Sequence, residues 1–309
     1  AEPAGCDPSV LNSAPVVAIN TDSRHLSGPA AAARVVEAMR GLGGGCEVLF
    51  KKIDSTLRGN VVAETMAMLQ VSGRAAALVA PAFPAQGRTV VTGMVHVNGV
   101  QLDQTAFAKD ALSPPPLAPL DKVFSSAAPD YDVRSVSSRD CAVAKGEIRV
   151  ADSMDNDDLV RIVETSAPDW PRILLVGSAG LTHALAARMF AGAGASGVRP
   201  SIEGPVILVV GSRAMASASQ IEVLREEPGT CLISLPNGTG EALEFPVMVD
   251  LVLQATESSM PARAETVASN LAGHALDAVR ATGARAIVAT GGDTAMAILA
   301  ASGNPALRV

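Results

Sequence analysis

Lys51-Lys52-Ile53-Asp54-Ser55-Thr56-Leu57-Arg58-Gly59-Asn60 gathers two ammonium groups, a carboxylate, two hydroxyls and a guanidinium directly after the apolar run Val48-Leu49-Phe50. That mixture suits a small anion. Arginine offers a planar fork to a carboxylate or phosphate, hydroxyls answer other polar groups, and Gly59 lets the backbone turn tightly or come close to a ligand. Asn60 precedes Val61, Val62, Glu64, Met66, Met68 and Leu69 at helical spacing, so strand, polar loop and Asn60-capped helix are predicted in that order. Ligands of open parallel sheets sit outside the carboxyl ends of the strands, where Asp54 to Gly59 falls. A solvated, helix-capping connection with a surface ion pair is the alternative for the same residues.

Thr21-Asp22-Ser23-Arg24 follows Val16-Val17-Ala18-Ile19 as the decapeptide follows its own strand. Two such loops at the ends of parallel strands are predicted to wall one crevice, with Arg24 and Arg58 on a ligand carboxylate and Asp22, Ser23, Ser55 and Thr56 on its hydroxyls. The alternative is an ordinary turn ahead of a helix cap at Ser27. Because side chains alternate along a strand, only one of Lys51 and Lys52 can share a face with Asp54, and period two selects Lys52.

A second candidate lies near the carboxyl end. Gly291-Gly292-Asp293-Thr294 stands between the strand Ala286–Ala289 and the helix Ala295–Ala300, and Gly211-Ser212 follows the strand Val206–Val210. Backbone N–H groups at a helix start, left open by glycine, suit a phosphate, whereas a tight turn without ligand uses the same residues. Neither a Walker loop nor a dinucleotide fingerprint occurs, so these residues alone do not name a nucleotide. His25, His96, His183 and His274 are isolated and give no zinc pattern, and His183 is expected to pack within an apolar helix.

The elements that position these groups read as an α/β protein. Short aliphatic strands recur at Val16–Ile19, Val48–Phe50, Ala76–Val79, Ile173–Val176, Val206–Val210 and Ala286–Ala289, most followed by Gly, Ser or Asp and a helical pattern, which predicts mainly parallel sheets. Asn98-Gly99 signals a hairpin, an antiparallel excursion in the first domain, and Ser113-Pro114-Pro115-Pro116 is a loop. The 309 residues, 48% hydrophobic but 3% aromatic, suffice for two aliphatic cores, and the Ala/Gly-rich stretch from Ala191 places the boundary at 198/199. A net charge of −7 excludes a general nucleic-acid surface. The scattered Cys6, Cys46, Cys141 and Cys231 read as reduced thiols of a cytoplasmic protein, and no apolar run is long enough to span a membrane.

Together with Thr21–Arg24, the decapeptide resembles the four-carbon acid sugar kinase family, in particular its threonate and erythronate kinases. The resemblance continues through Pro81-Ala82-Phe83-Pro84-Ala85-Gln86-Gly87-Arg88-Thr89, Val97-Asn98-Gly99-Val100, Gly177-Ser178-Ala179-Gly180-Leu181, Gly211-Ser212 and Gly291-Gly292-Asp293-Thr294-Ala295. It implies two Rossmann-like domains, residues 1–198 binding the sugar acid and 199–309 the nucleotide. The implied activity is ATP-dependent phosphorylation of the terminal 4-hydroxyl of D-threonate or D-erythronate, with Mg2+ carried by ATP. Gly211, Ser212, Gly291, Gly292, Asp293 and Thr294 would hold ATP, and Lys51 would join the substrate-binding residues. Asp54 is then the candidate base, with the family's opening Asp-Asp loop an equally good source of it, and Lys52 the charge stabiliser, no protein ligand for metal being identified. A 3-oxo-tetronate 4-kinase and a non-catalytic sugar-acid or nucleotide sensor are the alternatives, and a homodimer is an expected assembly. Family members open on a strand ending in Asp-Asp-x-Thr-Gly-Ala and close on a further strand and glycine-rich segment, so the sequence reads as a fragment, expected to lack transfer without those parts.

Overall fold

The computed structural model describes residues 15–41, 46–110, 113–192, 202–212, 215–240, 244–247, 249–260 and 262–303. The chain divides into two units, Ala1–Ala195 and Ser196–Val309. The boundary expected at 198/199 falls outside the described residues.

The first unit runs α1 (Gly28–Gly41), β1 (Leu49–Lys52), α2 (Val61–Ser72), β2 (Ala76–Ala80), β3 (Arg88–Val91), β4 (Met94–Val97), β5 (Val100–Gln101), α3 (Leu120–Ala127), β6 (Asp132–Val136), β7 (Glu147–Ala151), α4 (Asn156–Ser166), β8 (Ile173–Gly177) and α5 (Ala179–Met189). Its main sheet has the order β1-β8-β2-β7-β6, every neighbouring pair parallel. The inner strands Ala-Ala-Leu-Val-Ala and Ile-Leu-Leu-Val-Gly are buried throughout, as strands covered on both faces require. Leu78, Leu174, Leu175, Ile148, Leu159, Ile162 and Phe124 fill the core, where full burial contributes roughly 1.5–3 kcal/mol per large side chain.

The second unit runs β9 (Val206–Val210), α6 (Met215–Glu226), β10 (Thr230–Pro236), β11 (Asp250–Thr256), α7 (Ala264–Thr282), β12 (Ala286–Thr290) and α8 (Gly292–Ser302). Its sheet, β10-β11-β9-β12, is also wholly parallel. Ile207, Val209, Leu251, Leu253 and Leu271 are fully buried within it. Both units are α/β with parallel sheets, as expected.

The antiparallel excursion is present and larger than one hairpin. Asn98-Gly99 joins β4 to β5 with both residues at positive φ (51° and 79°), and Thr92-Gly93 joins β3 to β4 in the same conformation (48° and 74°). The Asp152 carboxylate clasps the second turn, accepting Thr92 N–H at 2.8 Å and Gly93 N–H at 2.9 Å.

Three expectations are corrected. Val16–Ile19 is not a strand: among the described residues it pairs with no neighbour, and Val16 is 60% exposed. Asn60 stands at the start of α2 without a side-chain capping bond, because its amide instead donates to the Ser23 carbonyl at 3.1 Å and the Leu26 carbonyl at 2.8 Å. His183 is exposed, its ring set nearly perpendicular to that of Phe83 at 5.6 Å between ring centroids.

Candidate functional site

The carboxyl end of β1 leads into the decapeptide loop, held in place by Ile53 N–H donating to the Gly177 carbonyl at 2.8 Å. Asp54 organises this loop. Its Oδ2 accepts the Thr56 hydroxyl and backbone N–H, the Arg58 backbone N–H, and Arg58 Nε at 3.0 Å, while Oδ1 accepts a terminal Arg58 nitrogen at 3.3 Å. Burial alone would push this carboxyl up, but the hydrogen bonds from Arg58 and Thr56 and the guanidinium charge outweigh it and hold the pKa down at about 2. Leu57 is forced into the left-handed region, φ 59°, while being 2% exposed. Such a conformation in a bulky residue persists only where surrounding contacts over-determine it.

The two predicted polar loops come together. Arg24 approaches Asp54 Oδ1 at 4.0 Å. Gly59, at φ 91°, packs beneath Arg24, where an added Cβ would sit 3.4 Å from Arg24 Cγ, and its backbone angle favours glycine. Ser23, only 6% exposed, donates to Glu64 Oε1 at 2.9 Å, and Glu64 Oε2 takes the Lys51 ammonium at 2.5 Å. Lys51 is therefore the inward-facing lysine of the pair, whereas Lys52 is exposed at the strand end. Asp22 is exposed with φ 45°, Ser55 is half-buried and Thr56 is buried.

Sequence reasoning passed over Glu64, Phe107, Asp110 and Ser113. Phe107 lies under both the Arg58 and Arg88 guanidinium groups, at 5.5 and 5.8 Å from the ring centroid, and Asp110 Oδ2 is 3.9 Å from an Arg58 nitrogen. Ser113 donates to the Arg24 carbonyl at 3.2 Å. An acidic residue in the first turn of a helix reads as ordinary dipole complementation, so Glu64 gave no signal of its own until its burial was known. Phe107 sits in the short 3-10 helix Ala106–Lys109, with Asp110 at its end and Ser113 in the loop beyond, and none of these segments carries a periodic pattern.

In the second unit, α8 begins at Gly292, so Gly292, Asp293 and Thr294 form its first turn instead of preceding it. Gly291 stands at the cap with φ 95°, and Ala295 N–H donates to its carbonyl at 3.1 Å. Gly291, Gly292 and Asp293 are exposed and a Cβ at Gly292 would meet nothing within 4 Å, which leaves the backbone N–H face of this turn open. Thr294 is buried against Gly211, where any Cβ would come within 2.1 Å of its hydroxyl, and Ser212 follows. An open turn of this kind can hold phosphate through backbone N–H groups and the helix dipole.

A cavity of about 450 Å3 lined by Lys145, Glu147, Asp169 and Arg172 lies at the opposite, amino ends of β2, β7 and β8. Its position relative to the sheet argues against it as the ligand site, since parallel sheets present ligands at the other end. Among the described residues no group of three or more His, Cys, Asp or Glu side chains could hold a metal ion, Cys46, Cys141 and Cys231 are free thiols, and no helix is long and apolar enough to cross a membrane.

Residues 4–185 match the model of the family described as the sugar-binding N-terminal domain. The chain is 34% identical to a D-threonate kinase of Cupriavidus necator over 99% of this chain and 79% of that protein. It is 28% identical to a 3-oxo-tetronate kinase of Pseudomonas fluorescens over 93% of this chain and 76% of that protein. Among solved structures, a Bordetella bronchiseptica DUF1537 domain, crystallised with bound citrate as a domain-swapped dimer, superposes with a TM-score of 0.52 at 31% identity, covering 96% of this chain and 76% of that one. These matches make the chain a sugar-acid kinase. The chain belongs to the four-carbon acid sugar kinase family.

Proposed function

We propose that the protein transfers the γ-phosphoryl group of ATP to the terminal 4-hydroxyl of a four-carbon sugar acid, D-threonate or D-erythronate. The single observation that carries this is the convergence of Arg24 and Arg58 on one partly buried carboxylate, Asp54, from two different loops. Arg58 is held rigid by Asp54 and stacked on Phe107, while Arg24 keeps a side chain 48% exposed toward solvent. A preset pair of guanidinium groups recognises a carboxylate at low ordering cost.

In the proposed reaction the substrate alcohol oxygen bonds to the γ-phosphorus, the bond to the β-phosphate oxygen breaks, ADP departs, and the alcohol proton passes to a carboxylate, for which Asp54 is the candidate. A pKa near 2 keeps Asp54 ionised and able to accept, though weakly basic. Lys52 supplies charge near the transferring group, and Lys51, Asp22, Ser23, Ser55 and Thr56 surround the acid. Gly211, Ser212 and Gly291–Thr294 hold the nucleotide phosphates, and Mg2+ enters with ATP. The D-threonate kinase relative supports hydroxy acids ahead of 3-oxo acids, its identity being 34% against 28%. The relative's domain-swapped dimer supports a homodimer here, and the free thiols suit the cytoplasm.

The test is phosphorus NMR of the complete protein, any segments beyond these 309 residues included, with Mg-ATP and, separately, D-threonate, D-erythronate and a 3-oxo-tetronate. A new phosphomonoester with one of the hydroxy acids is expected. Transfer to the 3-oxo acid alone would select the other kinase, and tight binding of acid or nucleotide with no transfer to any of the three would select the sensor.

A further inference from the structure

Glu64 uses its two oxygens separately, one on the Lys51 ammonium and one on the Ser23 hydroxyl. A carboxylate paired with an ammonium group has only lone pairs to offer, so Ser23 commits its single hydrogen to Glu64. Ser23 Oγ also lies 2.8 Å from Thr21 Oγ1. With its hydrogen already directed at Glu64, Ser23 can only accept in that contact, and Thr21 is the donor. Thr21, half-buried at the head of the loop that carries Arg24, thereby turns its hydrogen inward and leaves lone pairs outward.

We infer that Lys51, Glu64, Ser23 and Thr21 form a hydrogen-bond relay that makes Thr21 an acceptor and so selects a substrate with a hydroxyl, against one with a keto oxygen, at the carbon facing it. The inference rests on the sugar-acid kinase reading and sharpens its substrate class. A hydroxyl there donates to Thr21, whereas a keto oxygen sets lone pairs against lone pairs and leaves both without a partner. Glu64 is a positioning residue that touches no substrate atom, and Thr21 is the group in contact.

The relay can be reversed. In Glu64→Gln, Lys51 still needs an acceptor, so the amide oxygen faces the ammonium and the amide nitrogen donates to Ser23. The Ser23 hydrogen then passes to Thr21, and the Thr21 hydrogen points outward. We expect the ratio of kcat/KM for D-threonate or D-erythronate over the 3-oxo acid to fall by about 10- to 100-fold in Glu64→Gln, chiefly through KM of the acid with KM of ATP unchanged. Thr21→Val, an isosteric change at a half-buried position, should lower the same ratio, and Glu64→Gln added to it should change the ratio no further. If Glu64→Gln fails to fold, Thr21→Val decides alone. A parent protein that prefers the 3-oxo acid, or folded variants with the parent's ratio, overturns the inference and leaves kinase activity standing. Absence of transfer to any of these acids by the parent removes the kinase reading itself, a distinguishable result.

Discussion

The two candidate sites solve recognition in opposite ways. In the first unit the ligand would meet side chains already tied to one another: Asp54 to Arg58 and Thr56, Glu64 to Lys51 and Ser23, Asn60 to the opposing loop. In the second unit it would meet bare backbone at Gly291 to Thr294, with no side chain needed at Gly292. An acid with several hydroxyls must be told from near relatives, and only fixed side chains with known donor and acceptor directions do that. A phosphate needs charge and N–H groups but little shape, so a helix start is enough.

If the first unit's internal ties serve chemistry, the largest effect should follow from Asp54. Asp54→Asn is expected to lower turnover by about 10²- to 10⁴-fold, read in steady-state kinetics with saturating acid and ATP. Full turnover would move proton acceptance to another residue.

Next come the two arginines. Arg24→Ala and Arg58→Ala should each weaken acid binding about ten- to a hundredfold in calorimetry, and lysine should not restore a bidentate contact. The comparison sharpens within this pair: Arg58→Ala also strips a partly buried carboxylate of its partner and should lower the unfolding midpoint, whereas the more exposed Arg24 should affect binding alone. Equal affinities in both variants would place the acid elsewhere.

Asp54 also makes the first unit sensitive to acid. Its carboxyl is held at about 2 against an ordinary 3.8. The stabilisation is therefore fully present above about pH 4 and is lost as pH falls through 2, an amount of about 2 kcal/mol. Urea unfolding of the parent and Asp54→Asn should show their stability difference shrinking over that window, and a constant difference would contradict the ion pair.

The smallest effect concerns the second unit. The Cβ of Gly292→Val meets nothing within 4 Å outside its own turn, so the variant should fold, yet a side chain there should weaken ATP or ADP binding roughly tenfold if the turn approaches phosphate closely. Unchanged nucleotide affinity in calorimetry would sink the assignment.

Much of this was legible in the chain because buried parallel strands are short aliphatic runs: β2, β8, β9 and β12 lie where Ala76, Ile173, Val206 and Ala286 begin such runs. β7 was hidden by Arg149, which lies almost buried between Asp132 and Glu147 and disguises the strand as a charged segment. The pairing of Thr21–Arg24 with the decapeptide was legible from their similar settings, but the Val16–Ile19 strand meant to carry the first loop was not there. The loop is instead held by Asn60 and Glu64, tertiary contacts across some forty residues that no local pattern announces.

The strand that launches the acid loop has a single described partner: Leu49 of β1 pairs with Leu174 of β8, and the sheet order leaves β1 at one edge. Ribosomal synthesis proceeds from the amino end, so this β1–β8 pairing joins a strand made early to one made late. Contacts so distant along the chain fold slowly and expose unpaired edges meanwhile. The decapeptide is thus made early, whereas the β8 partner of the strand that carries it comes late.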